Sequence, residues 1–182
     1  MKKTVSIIVS AALLTVGLVA CPDKTEVTPP AEVVTTELIL NGGFEANTSN
    51  WTFTGDGRRN LSPVACRKTG TYFGSISKEK SSVGTAAQTI NVPAQGTTTL
   101  KYWVRIDSNV NQASASDSLL VKVNEKVIST LTTADPQEIY KEYSADLTEL
   151  AGKSATIQFR GTFKDIDATN FCIDDVSAIN SK

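Results

Sequence analysis

The sequence predicts an all-β fold, a sandwich or a barrel of antiparallel strands, over residues 37–182. Three observations predict it. Short runs alternate apolar and polar residues, the runs end at Gly, Asn, Asp or Pro, and they recur about every 8–12 residues. A hydrophobic content of 40% and a charged content of 20% are ordinary for a globular domain.

The predicted strands follow one another along the chain with turn residues between them. They are Leu38–Leu40, Trp51–Thr54, Tyr72–Ser77, Ala87–Val92, Leu100–Ile106, Leu119–Val123, Val127–Leu131, Ile139–Asp146, Ala155–Thr162 and Phe171–Ile179. The segment 137–153 has the Glu, Leu and Ala content of a helix. Its β-branched and aromatic residues nevertheless favour a strand from Ile139 to Asp146, with a helical turn after it that ends at Gly152.

The charge balance excludes several classes of function. Lys and Arg number 18 against 19 Asp and Glu, the net charge is −1 and the pI is near 5.5, so no nucleic-acid partner is expected. The chain has no histidine, which removes Ser-His-Asp and Cys-His catalysis and histidine-based zinc sites. Carboxylate chemistry, carboxylate-bound calcium or no chemistry remain, and we predict a non-enzyme with no catalytic residue.

The N-terminal 20 residues are typical of a secretory signal peptide. Met1–Lys3 is positively charged, and Val5–Val19 is apolar over about 15 residues, too short to span a bilayer as a helix. The string Leu18-Val19-Ala20-Cys21 resembles a bacterial lipobox, in which Cys21 is lipidated and becomes the first mature residue. The alternative is a plain signal peptide with a coincidental cysteine.

Residues 21–36 are predicted to be a disordered tether, because they contain three prolines and no aromatic residue. The lipobox resemblance implies a lipoprotein of the bacterial cell envelope. A palmitate-type lipid anchor on Cys21 would attach it to a membrane on the exported side.

Cys66 and Cys172 remain after Cys21 is assigned to the anchor. In an exported protein such an even pair favours a disulfide, and the long loop that it would close corresponds to about 4–5 kcal/mol of chain entropy. Two buried free thiols are the alternative.

The alternation within Leu100–Ile106 assigns its faces, with Lys101, Trp103 and Arg105 opposite the apolar residues. An indole flanked by cations can stack on a sugar ring while the cations donate to hydroxyl groups. The candidate ligand-binding residues are Trp103, Arg105, Gln158 and Arg160. The alternative is a plain exposed sheet face on which the tryptophan packs under a loop.

Two motifs from the ends of the predicted domain carry a family resemblance. Asn41-Gly42-Gly43-Phe44-Glu45, with Trp51 after it, is paired with Phe171-Cys172-Ile173-Asp174-Asp175-Val176. This combination resembles the jelly-roll domains of the carbohydrate-binding-module and galactose-binding-like group, including MAM-like domains. The resemblance implies an antiparallel β-sandwich (jelly roll) of two packed sheets.

The same motifs predict a structural calcium ion. Asp174 and Asp175 lie in a half-buried strand near Glu45, and clustered carboxylates are unfavourable unless a positive charge neutralises them. Calcium does this with carboxylate and carbonyl oxygens, and the resemblance implies such an ion between the first and last strands. The expected ligands are Asn41, Glu45, Asp174 and Asp175. The alternative is that these acids cap turns and face water.

The sequence therefore leads to three hypotheses about function, the third being a small hydrolase with paired carboxylates. That one is the least favoured, because the acids cluster where an ion would fit and about 140 folded residues leave little room for a deep cleft. The first is a non-catalytic surface lipoprotein that binds a glycan or an envelope polysaccharide. The second is a structural or adhesion lipoprotein that packs against a protein partner in the envelope. An exposed apolar patch without a groove would favour the second.

Overall fold

Eleven antiparallel strands in two sheets make up most of the residues that the structure, a computed structural model, describes. These residues are 32–77, 83–108, 117–135, 138–164 and 169–182. The predicted signal peptide, Cys21 and the tether up to residue 31 lie outside them. Within the described part, no helix is both long enough and apolar enough to cross a membrane.

The first sheet has six strands and the second has five. The strands are β1 (Thr35–Glu37), β2 (Thr52–Gly55), β3 (Gly57–Asn60), β4 (Phe73–Ser77), β5 (Val83–Asn91), β6 (Thr97–Ser108), β7 (Ser118–Val123), β8 (Lys126–Thr132), β9 (Tyr140–Asp146), β10 (Ser154–Thr162) and β11 (Thr169–Ser181). Short 3₁₀ helices span Val64–Cys66 and Thr148–Leu150. The six-stranded sheet has the order β3-β4-β11-β6-β9, with β1 also pairing with β11, and the five-stranded sheet has the order β2-β5-β10-β7-β8.

The core lies between the two sheets and follows the predicted alternation. Leu100, Tyr102, Val104 and Ile106 are all buried. The ring of Tyr102 packs edge-on against Phe159 of β10, with the ring centroids 5.4 Å apart. The predicted fold class, two packed antiparallel sheets, is confirmed.

The first strand begins earlier than predicted. β1 comprises Thr35–Glu37 and pairs with Ile179–Ser181, whereas the predicted strand Leu38–Leu40 is irregular. Residues 35 and 36 of the predicted tether therefore belong to the sheet. The carboxylate of Glu37 stabilises this arrangement, because its Oε1 accepts hydrogen bonds from the amides of Ile39 and Ala178, each at 2.8 Å.

The remaining predicted strands are present, and the structure adds β3. That strand was not predicted because Gly57–Asn60 carries two arginines and no apolar alternation; it pairs with β4 at the edge of the six-stranded sheet. Within residues 138–153 the structure contains the predicted strand, β9, followed by a 3₁₀ helix. Gly152 follows that helix in the left-handed conformation, with φ +74°.

Candidate functional site

The motifs from the two ends of the domain meet in the structure. The amide of Val176 donates to the carbonyl of Gly42 at 3.1 Å. A Cβ atom on Gly42 would lie 1.8 Å from the carbonyl oxygen of Val176. Only glycine permits this approach, so the turn after Asn41 is shaped to fit the last strand.

A β-bulge in β11 creates the surface that the turn contacts. Trp103 of β6 is opposite Asp174, and Lys101 is opposite Ser177, so two residues of β11 face a single residue of β6. Asp175 takes the left-handed conformation there, with φ +47°. Bulges redirect side chains, and this one presents both acids of the motif on the outer side of the sheet.

The segment 66–72, here called the covering loop, lies over that outer side. The disulfide Cys66–Cys172 ties its start to β11, with 5.6 Å between the Cα atoms. The predicted disulfide is confirmed, and the alternative of two free thiols is wrong. The hydroxyl of Tyr140 donates to the carbonyl of Cys66 at 2.6 Å. Burial, with a smaller contribution from the Asp174 charge, raises the pKa of Tyr140, so that hydroxyl stays protonated.

The covering loop donates hydrogen bonds to all three acids of the motifs. The amides of Lys68 and Thr69 donate to Oδ2 of Asp174 at 3.0 and 3.2 Å. The side chains of the same two residues reach Asp175, with Lys68 Nζ 2.8 Å from Oδ2 and Thr69 Oγ1 2.5 Å from Oδ1. Glu45 Oε1 accepts from the amides of residues 71 and 72, each at 2.8 Å.

These contacts do not fit the predicted calcium site. Asn41 is engaged within its own turn, where its side-chain nitrogen donates to the carbonyls of Ala46, Asn47 and Ser49 and its side-chain oxygen accepts from the amide of Ala46. Asp174, Asp175 and Glu45 each accept hydrogen bonds from N–H or O–H donors of the covering loop. No group of three or more His, Cys, Asp or Glu in the described ranges is placed to hold a metal ion.

The pKa of Asp174 departs from its ordinary value because the side chain is buried. Its side chain is fully buried, and burial raises its pKa from 3.8 to about 6, against the lowering effect of the amides of Asp175, Thr69 and Lys68. The burial is a consequence of the covering loop, because Asp174 lies opposite Trp103 on the outer side of the sheet.

Beside the covering loop lies an open groove of about 400 Å³, here called the Trp103 groove. Its lining crosses β9, β6, β11 and β1, and combines one aromatic ring with charged walls. The lining residues are Glu37, Ile39, Gly42, Gly43, Lys101, Trp103, Glu142, Asp175, Val176 and Ser177. Lys68 Nζ is 4.1 Å from the centroid of the Trp103 ring, and Lys101 Nζ is 3.6 Å from Glu142.

The four predicted ligand-binding residues do not share one face. Trp103 and Arg105 belong to β6 of the six-stranded sheet, whereas Gln158 and Arg160 belong to β10 of the five-stranded sheet. Both strands alternate in the same way, and both pairs are half-buried on the side away from the core. The two sheets lie on opposite sides of the core, so the prediction that these four residues form one binding site is wrong.

Trp103 alone of the four lines the groove. The guanidinium of Arg105 is committed to the carbonyl of Glu138 and lies 3.8 Å from Asp107, with its side chain 14% exposed. Arg160 donates to the hydroxyl of Thr162 at 3.1 Å.

Three residues at or beside the groove were not predicted from the sequence. Glu37 and Glu142 line the groove, and Lys68 of the covering loop contacts the Trp103 ring. Alternation gives no information on which strands are neighbours, and Lys68 lies in a loop without periodicity.

Comparisons with known proteins establish the fold. No family model matches the chain, and no curated protein matches it. Among solved structures, the chain is similar to TmCBM61 in complex with β-1,4-galactotriose, at 16% identity and a TM-score of 0.62, covering 79% of this chain and 97% of that one.

Two further structures have the same architecture. The CBM22-1 xylan-binding domain of Paenibacillus barcinonensis Xyn10C has 13% identity and a TM-score of 0.54, covering 83% of this chain and 97% of that one. The K3 cleaved adhesin domain of Lys-gingipain from Porphyromonas gingivalis has 16% identity and a TM-score of 0.54, covering 80% and 99%. The chain therefore has the β-sandwich fold of carbohydrate-binding modules.

Proposed function

Starting from that fold, we propose that the chain is a non-catalytic module that binds a glycan or an envelope polysaccharide in the Trp103 groove. The observation that carries the proposal is the composition of the groove, an indole ring between hydrogen-bonding side chains. Sugar rings have apolar faces for stacking and hydroxyl groups at their edges for hydrogen bonds. Lys101, Glu142 and Ser177 offer partners for those hydroxyls beside the ring.

The structural neighbours support the same class of function. One is a complex with β-1,4-galactotriose and another is described as a xylan-binding domain. Because fold does not determine the ligand, the proposal for this chain rests on the groove. The groove is open to solvent, so an extended chain of sugars can lie along it.

The cellular setting forms part of the proposal. Residues 1–20 would act as a lipoprotein signal peptide, and a lipid on Cys21 would hold the mature protein to a membrane of the bacterial cell envelope. Residues 21–34 would then separate the sandwich from that membrane.

The test is a glycan array followed by calorimetric titration of the oligosaccharides that bind, including β-1,4-galactan and xylan fragments. Trp103→Ala is expected to lower the affinity at least about tenfold, the effect of roughly 1.4 kcal/mol of lost stacking. The matched control is Gln158→Ala/Arg160→Ala on the opposite face, which is expected to bind like the wild type. If the control variant lost binding while Trp103→Ala retained it, the glycan site would lie on the five-stranded sheet instead.

A second candidate function is adhesion to a protein partner in the envelope. Leu61 and Val64, just before the covering loop, are 47% and 68% exposed, and a protein partner docked at this place would bury both side chains. An array without any bound glycan, together with envelope binding that Leu61→Ser/Val64→Ser abolishes, would select this function.

A further inference from the structure

The acidic pair of β11 has a complete set of partners within the protein. Asp174 Oδ1 accepts from the amide of Asp175 at 2.8 Å, and its Oδ2 accepts from two amides of the covering loop. Asp175 accepts from the hydroxyl of Thr69 and from the ammonium of Lys68. Each of the four carboxylate oxygens of the pair therefore accepts at least one hydrogen bond.

Lys68 supplies the positive charge of this junction. Its Nζ is 2.8 Å from Asp175 Oδ2, and the two side chains are only 24% and 28% exposed. The same ammonium is 4.1 Å from the centroid of the Trp103 ring, a distance at which a cation is attracted to an indole face. Because its own amide donates to Asp174, Lys68 is tied to both acids and to the groove.

A calcium ion at this junction would compete with those groups. It requires six to eight oxygen ligands, whereas the oxygens of the pair face N–H and O–H donors. A lysine ammonium already bound to Asp175 would repel a second cation placed on the same carboxylate.

We propose that the ammonium of Lys68 is the resident cation of this junction, in place of the calcium ion that the motifs predict. It joins the covering loop to β11 and holds the indole of Trp103 in position. Folding of the domain is then independent of calcium. This inference concerns the junction and holds whether or not the groove binds a glycan.

The experiment compares the wild-type chain with Lys68→Met and Lys68→Arg. After dialysis against calcium-free buffer and after addition of millimolar calcium, wild-type metal content and melting temperature are measured with and without chelator. We expect less than one calcium per ten chains and no shift of the melting temperature. We expect Lys68→Met to melt about 5 °C lower and Lys68→Arg to recover most of that loss.

Two further measurements separate this role from general surface effects. Lys126→Met is the matched control, because Lys126 makes a comparable 3.0 Å contact with Glu149 while 70% exposed; it is expected to melt like the wild type. Lys68→Met, but not Lys68→Arg, is expected to shift the tryptophan emission, and the shift is expected to disappear when Trp103→Phe is added.

One calcium per wild-type chain whose removal by chelator lowers the melting temperature would overturn the proposal. So would a Lys68→Met variant that melts and fluoresces like the wild type. If Lys68→Met does not fold while Lys68→Arg does, the requirement for the positive charge is supported directly.

Discussion

The outer faces of the two sheets differ although their strands have the same alternating pattern. On the six-stranded face, the covering loop lies against the strands and borders a groove with an indole and charged walls. On the five-stranded face, Gln158 lies between Ala87 and Lys122, and Arg160 between Thr85 and Leu120. The comparison teaches that a disulfide-bound loop and a bulge, added to an ordinary sheet face, create a concave site.

Among the changes considered for the six-stranded face, removal of the disulfide is expected to lower the free energy of unfolding most. It closes a separation of 106 residues, so Cys66→Ala/Cys172→Ala is expected to lower the free energy of unfolding by about 4–5 kcal/mol. Urea unfolding measures this change, and reduction of the wild type under the same conditions should reproduce it. A loss below about 1 kcal/mol would mean that the covering loop is held by its hydrogen bonds alone.

The turn that meets the bulge offers a matched pair of glycines. Gly42→Ala would place a Cβ 1.8 Å from the carbonyl of Val176, whereas Gly43→Ala meets its nearest neighbours at 3.9 Å. Gly42→Ala is expected to lower the free energy of unfolding by about 3 kcal/mol or more, and Gly43→Ala by less than about 1 kcal/mol. Equal effects in calorimetric melts would show that the turn is free to move away from β11.

The pH dependence distinguishes a buried acid from an exposed one. The pKa of Asp174 is raised to about 6, whereas hydrogen bonds from Thr148 lower the pKa of exposed Asp146 below 3.8. Between pH 4 and 6 the folded state binds the proton on Asp174 more tightly than the unfolded state. The Asp174 contribution to the unfolding free energy therefore decreases as pH rises through that window, by about 2–3 kcal/mol.

A carbon-13 NMR titration of the aspartate carboxyl groups measures both pKa values. Asp174 is expected to titrate above Asp146 by more than two pH units. An Asp174 resonance that titrates below pH 4 would mean that the donors of the covering loop outweigh the effect of burial.

The smallest expected change in stability is for a substitution in the exposed wall of the groove. Lys101 and Glu142 are 52% and 41% exposed at a separation of 3.6 Å, so Lys101→Ala should change the free energy of unfolding by less than about 0.5 kcal/mol. The same variant should weaken binding of a glycan that occupies the groove by about twofold to fivefold, measured by titration. Unchanged binding would exclude Lys101 from the contact.

The sequence predicted most strands because alternation and turn residues are local signals. It also predicted that the two end motifs come together, since Gly42 and Asp175 have recognisable motif positions. It failed where neighbours in space decide the outcome. Arg105 and Arg160 occupy equivalent positions in the alternating pattern of their strands, but the strands belong to different sheets. Strand β3 carries arginines because it lies at a sheet edge, where no apolar face is required. The role of Lys68 depends on a loop path that no periodicity encodes.

The pairing of β1 with β11 has a mechanical consequence. Val34 and Lys182 exchange two backbone hydrogen bonds, at 2.9 and 3.0 Å, at the outer end of this short ladder, and Glu37 at its inner end is also a wall of the groove. Tension applied from the N-terminal side is transmitted first to this three-residue strand, before it reaches the aromatic interior. A pull strong enough to peel β1 away would remove one side of the groove while the two sheets stay folded.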